Sequence, residues 1–200
     1  MFYSYGETEI NHLKRRDKKM AAAIERLGMI ARPLSPDLFA ALIRNIVDQQ
    51  ISVKAALTVN ARLVTLVGAV TPITIAAAPI ESIQGCGMTM RKAGYIKDAA
   101  NAVLDGALDL SAISLLPDNE IITQLSSLNG IGIWTAEMLL ISSLSRPDVL
   151  SWGDLAIRRG MMNLYHHKTL PRERFERYRR RYTPYGTTAS LYLWALSHEV

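Results

Sequence analysis

One cysteine, Cys86, occurs in 200 residues. A single thiol excludes an internal disulfide framework, and it excludes any zinc or iron–sulfur site built from several thiolates. Disulfide-free chains suit a reducing, intracellular compartment. Four histidines, at positions 12, 166, 167 and 198, have no metal-ligand spacing and form no Ser-His-Asp pattern. Neither the P-loop nor the dinucleotide fingerprint is present. No apolar run reaches the length of a membrane span, and even AEMLLISSL (136–144) stops short. The first ten residues, MFYSYGETEI, are polar and lead into charges, which is unlike a signal peptide. Strand signals are almost as scarce. VLSW and TPITI have some β-branched or aromatic character but no partner pattern and no hairpin turn.

What remains is a chain that is 49% apolar and 20% charged, long enough to bury a sizeable core in one domain or two small lobes. Its periodicity is helical throughout. One helix is expected from about Glu9 to Gly28, with Leu13, Met20, Ile24 and Leu27 on its apolar side. Ser35-Pro36-Asp37 reads as an N-cap, a proline at the first helical position and an acid in the first turn. Leu38, Phe39, Leu42, Ile43, Ile46 and Val47 then recur at helical spacing as far as Gln49 and Gln50, two amides that interrupt the pattern. Ser52, Thr71-Pro72, Thr89 and Pro117 open further helices, Pro171 opens a basic one, and a last helix covers about 187–199. The reading is all-α, with ten or so short helices and no repeats.

The most informative stretch is 128–160. Leu-Asn-Gly-Ile-Gly at 128–132 joins two amphipathic patterns, and glycine there allows positive φ and close backbone approach. The amides of Gly130, Gly132 and Ile133 are then free to face a phosphate. An ordinary helix connection with a glycine cap fits the same residues. About twenty positions on, Asp154 opens a helix. It is a good N-cap on its own account, and the positive end of a helix also favours a carboxylate placed for chemistry. Trp134, Met138 and Trp194 fit either a core or a ligand pocket.

The net charge of +5 is local. Lys168 and the arginines at 172, 174, 177, 179, 180 and 181 face only Glu173 and Glu176, so the rest of the chain balances; KRRDKK at 14–19 is a smaller basic run. A solvated helix face and a surface for a polyanion both account for such a segment.

Taken together, the pattern resembles the helix-hairpin-helix DNA glycosylase superfamily, and within it the 3-methyladenine glycosylase II branch that acts on alkylated bases. Four segments carry the likeness in order: IVDQQISVKAA, GMTMRKAGYIKDAA, LNGIGIWTAEMLL with SWGDLAIRR, and YTPYGTTASLYLW. The likeness implies one glycosylase domain over 1–200, in two helical lobes with a cleft between them. A central lobe over about 35–145 would carry the hairpin 128–132, and the N-terminal helix with about 146–200 would form the second. It implies the short form of the family, without a preceding β domain.

By position, Asp154 matches the catalytic aspartate. Gly130, Ile131 and Gly132 match the phosphate-gripping hairpin, with Ile133 following it. Trp134 and Trp194 match aromatic residues of the base pocket, and Met138 stands where some relatives have an aromatic. Gln50 matches the wedge that fills the gap left by a flipped nucleotide, with Gln49 beside it. The backbone carbonyls of Ser126, Leu128 and Ile131 match those that hold a monovalent Na or K ion, and no other cofactor is implied. Asn129 replaces the usual hairpin proline, a change expected to affect rigidity.

Bifunctional relatives carry a lysine where this chain has Trp134, and indole forms no Schiff base. The resemblance therefore implies a monofunctional enzyme acting on damaged bases in double-stranded DNA. A monomer is expected, without membrane association, in the cytoplasm at the nucleoid or, in a eukaryote, in the nucleus. Two other readings stay open: a same-fold glycosylase for deaminated, mismatched or oxidised bases, and a non-catalytic DNA-binding module.

Overall fold

The computed structural model describes residues 1–199. Thirteen helices follow one another among them: α1 (Glu7–Arg16), α2 (Lys18–Leu27), α3 (Leu38–Asp48), α4 (Val53–Val67), α5 (Pro72–Ala77), α6 (Ile80–Gly85), α7 (Met90–Leu104), α8 (Leu110–Ile113), α9 (Asp118–Ser126), α10 (Ile133–Ser142), α11 (Leu155–Tyr165), α12 (Arg172–Tyr182) and α13 (Gly186–Leu196). The described residues contain no strand, only an isolated bridge between Phe2 and Pro33.

Two local expectations are corrected, and one short helix is additional to the sequence reading. The single N-terminal helix is two helices, because Asp17 leaves the helical conformation and its carboxylate accepts the amides of Lys19 and Met20, each at 3.0 Å. The cap before α3 is Asp37 rather than Ser35: its side chain accepts from the Ala40 amide at 2.9 Å, and the helix starts two residues later. The four-residue α8, capped by Asp109, has too few positions to show a period. Ser52, Thr71 and Thr89 cap α4, α5 and α7 as read from the sequence.

The chain divides into two compact units: Ser35–Leu139, and Met1–Leu34 together with the described residues from Leu140 onward. In the first, α7 packs on α3, α5 and α6. Its buried residues include Leu42, Ile46, Leu63, Ile75, Ile83, Ile96, Ile121 and Leu125. In the second, α11 packs on α13 and α2, and α12 packs on α1 and α13. Leu13, Met20, Ile157, Met161, Phe175, Tyr182, Tyr192 and Leu193 form its core. Gly160 makes the α11–α13 packing possible. A β-carbon there would stand 2.7 Å from the carbonyl carbon of Leu193 and overlap its oxygen.

Candidate active site

The hairpin lies between α9 and α10, within the unit Ser35–Leu139. Gly130 is required there twice over. Its φ is +82°, and a β-carbon would lie 2.8 Å from Tyr95 Cγ and overlap the ring edge. Gly132 has neither constraint, so the expectation of a special backbone at both glycines holds only at the first. Ile131 is buried and its amide donates to the Leu128 carbonyl at 3.1 Å, closing the turn. Gly132 and Ile133 are exposed at the open start of α10, where the first N–H groups of a helix have no carbonyl to bond.

Helix α7 supports this turn from one face, with residues three apart. Lys92 Nζ donates to the carbonyls of Val47 (2.7 Å) and Gln49 (2.5 Å) at the end of α3. Burial lowers its pKa, and the nearby Asp48 works in the opposite direction. Tyr95 packs on Gly130. The Asp98 carboxylate accepts from Asn129 Nδ2 at 3.1 Å, so the residue in the hairpin-proline position is tethered by its side chain. Gln49 completes the support, donating from Nε2 to the Gly130 carbonyl at 2.8 Å. Lys92, Tyr95 and Asp98 escaped the sequence reading as site residues, although their spacing on a helical pattern was a usable signal.

Gln49 and Gln50, adjacent in sequence, thus differ in role. The Gln49 amide is engaged within the unit, whereas Gln50 is exposed with φ +56°, in the left-handed region. Trp134 is 43% exposed on the first turn of α10, and Met138, one turn further, is half-buried.

Asp154 belongs to the other unit. It is only 6% exposed and caps α11, its Oδ1 accepting the Ile157 amide at 2.9 Å. One turn along, the Arg158 guanidinium lies 4.8 Å from the centre of the Trp152 ring, and that ring meets Phe175 edge-on at 5.2 Å. Arg158 Nε is buried without a hydrogen-bond partner. Trp194, half-buried on α13, has the Arg32 guanidinium over its ring at 4.8 Å. Because Gly160 locks α11 to the backbone at Leu193, the helix that presents Asp154 and the helix that presents Trp194 are fixed to each other.

A glycine turn opens one helix and a buried carboxylate caps another in a protein whose described residues are helical and contain no strand. The chain belongs to the HhH-GPD superfamily of base excision DNA repair proteins, whose family model matches residues 43–184 and so takes in both the hairpin and Asp154. It is 34% identical over 161 residues to DNA-3-methyladenine glycosylase 1 of Schizosaccharomyces pombe, covering 78% of this chain and 71% of that protein. Its fold is similar to that of a DNA-3-methyladenine glycosidase from Bacillus halodurans, with a TM-score of 0.90 and 32% identity over 100% of this chain and 93% of that one. It is also similar to the S. pombe 3-methyladenine DNA glycosylase solved in complex with abasic DNA, with a TM-score of 0.83 and 30% identity over 94% and 95% of the two chains.

Proposed function

We propose that this protein is a monofunctional DNA glycosylase that hydrolyses the N-glycosidic bond of alkylated purines such as 3-methyladenine in double-stranded DNA. The observation that carries the reading is Asp154, a buried carboxylate at a helix start in the family's matched span. The names of the relatives support the substrate class.

The chemistry follows from the substrate. An N-alkylated purine is cationic and already a good leaving group, so strong general-acid help is unnecessary. The nucleotide must leave the stack, enter a pocket and meet a negative charge near its anomeric carbon. Outward amides at Gly132 and Ile133 bind the backbone phosphate. Exposed Gln50 fills the gap in the duplex, presented by a left-handed backbone that aims it away from the fold. The Asp154 carboxylate stabilises the oxocarbenium-like sugar and orients the attacking water. Trp194, on the helix packed against that of Asp154, stacks on the cationic base, a contact worth about 0.5–2 kcal/mol. Trp134 has no amine, so no Schiff base forms and the product is an abasic site.

The residues at the hairpin also fit a monovalent Na or K ion. Ser126 has a buried Oγ with no hydrogen-bond partner, and Leu128 O, which accepts the Ile131 amide, has a second lone pair. With the carbonyls of Ser126, Leu128 and Ile131 as ligands, such an ion would add positive potential beside the bound phosphate.

The decisive experiment is base release from methylated duplex DNA, with 3-methyladenine, 7-methylguanine and hypoxanthine separated. Release should occur with the wild type and fall by at least about 100-fold with Asp154→Asn, the size expected for losing a preorganised electrostatic group. Undiminished release by that variant sinks the assignment, and a borohydride-trapped protein–DNA adduct sinks the monofunctional part of it.

A further inference from the structure

The unit that carries the hairpin is net acidic. Ser35–Leu139 contains six lysines and arginines against nine acids, whereas the other unit contains seventeen against nine. Three of the six are also bonded to carbonyls of their own unit: Lys92 at the end of α3, Lys97 at the end of α5 and Arg62 at Cys86. A net charge of −3 gives that unit no net attraction for a polyanion, and salt screens what its few free cations could add beyond about 8–10 Å. Long-range attraction to DNA must therefore come from elsewhere on the chain.

The fold supplies a source by joining two basic segments that are about 150 positions apart. Helix α1 packs on α12, and Arg181 of α12 pairs with the buried Asp17 between α1 and α2 at 3.1 Å. Around that anchor Tyr165 and Tyr178 stack face to face at 3.7 Å. Lys19 Nζ lies 5.8 Å from the Tyr165 ring centre and Arg181 lies 5.1 Å from that of Tyr178, so cations of both segments border one aromatic pair. His167 is bonded to Tyr178 OH at 2.8 Å, and its pKa is lowered by burial first and then by the charges of Arg174, Lys19 and His166. Arg174, Arg177 and Arg181 follow a three-to-four-residue spacing, one stripe of α12. The two segments together hold twelve lysines and arginines against three acids, so the rest of the chain is net acidic.

We infer that Lys19, Arg174 and Arg177, on the joined corner of α1, α2 and α12, form a second DNA-backbone surface that supplies the non-specific, salt-dependent part of duplex binding. Arg181 is the positioning residue that ties the segments together through Asp17. Guanidinium and ammonium groups on a helix surface suit phosphates, and contacts to the backbone carry no sequence information. The inference rests on DNA being this protein's partner.

The test is the salt dependence of binding to an undamaged duplex, using the full chain. Lys19→Gln/Arg174→Gln/Arg177→Gln should flatten the log–log slope by about 2.7, from about 0.9 per phosphate contact. Over about 50–200 mM salt, the loss of affinity should then be about 40-fold smaller than for the wild type. Lys19→Arg/Arg174→Lys/Arg177→Lys should keep the wild-type slope. Arg177→Gln alone, at an exposed position, should lower it by about 0.9 and guards against a folding defect in the triple variant. Base release at saturating enzyme should be unchanged in all of them. An unchanged slope in the neutral variants overturns the inference. So does a flattened slope in the charge-conserving one, and so does loss of binding to phosphatidylserine vesicles with an unchanged DNA slope. Absence of base release in the wild type would count against the glycosylase reading instead, and leaves the slope comparison intact.

Discussion

The side-chain amide of Gln49 donates a 2.8 Å hydrogen bond to the carbonyl oxygen of Gly130, tying the end of α3 to the hairpin 81 residues away. That bond fixes the orientation of the Gly130–Ile131 peptide, whose N–H closes the turn on the Leu128 carbonyl. Gln49→Ala removes one partly buried hydrogen bond, which costs about 1 kcal/mol of stability. DNA affinity should fall several-fold while the single-turnover rate at saturating enzyme stays near wild type, because Asp154 is untouched. Equal losses in affinity and saturated rate would show that Gln49 acts on the chemistry.

Gly160 should tolerate no side chain. A β-carbon there meets backbone, not a movable side chain, so α11 and α13 must separate. Overpacking of this kind costs about 3 kcal/mol, equivalent to a drop of roughly 6–12 °C in Tm for a chain of this size. Gly160→Ala should therefore lower Tm by that amount and also slow base release, since the two helices bear Asp154 and Trp194. Thermal unfolding followed by circular dichroism checks the first part, and a full-rate enzyme after refolding would refute the second.

Gln50 has a left-handed backbone, a conformation costing about 1–2 kcal/mol for a residue with a β-carbon. Gln50→Gly should raise stability by up to about 1 kcal/mol, the relief exceeding the entropy that glycine adds to the unfolded chain. Gln50→Ala should bring no such gain. Both should lose base release from intact duplex more than from a substrate with a mismatch at the lesion, where extrusion is easier. If Gln50→Gly is no more stable than Gln50→Ala in denaturant titration, the strain is not there.

Tyr3, Tyr165, Tyr182 and Tyr192 all have pKa values raised above 10.0, in each case first by burial. Asp17 reinforces this for Tyr165 and Tyr182, where a second negative charge would join a carboxylate already bonded to Tyr165 OH. A raised native pKa means that the unfolded chain gives up the proton first. The stabilisation is complete below pH 10 and declines as pH rises above it. Three of the eight tyrosines, Tyr165, Tyr182 and Tyr192, should thus ionise only as the protein unfolds, visible as a cooperative step in tyrosinate absorbance that coincides with loss of helicity. Gradual, non-cooperative titration of all eight would contradict the burial.

The helices were legible in the sequence because apolar spacing and caps are local. Ser52, Thr71 and Thr89 each sit where the chain leaves an extended residue and begins to coil, and each caps as its type predicts. Asp37 caps in place of Ser35 because a cap is chosen by backbone geometry as well as by residue type, and Asp17 divides a helix that apolar spacing alone runs through. Asp154 and the glycine turn could also be named, since spacing along the chain is enough to match them to a family. The support behind the turn could not. That Tyr95 fills the place of a β-carbon on Gly130, that Lys92 closes the end of α3, and that Gln49 faces inwards while Gln50 faces out depend on α7 packing on α3.

The sequence by itself determined the all-helical class, the hairpin and the acid, because caps, turn glycines and 3.6-residue spacing act over a few residues. Only the tertiary structure decided which glutamine is structural, which glycine is irreplaceable, and that two basic runs remote in the chain form one surface. The physical reason is that excluded volume and summed charge depend on distance in space, and distances between remote residues are set by helix packing.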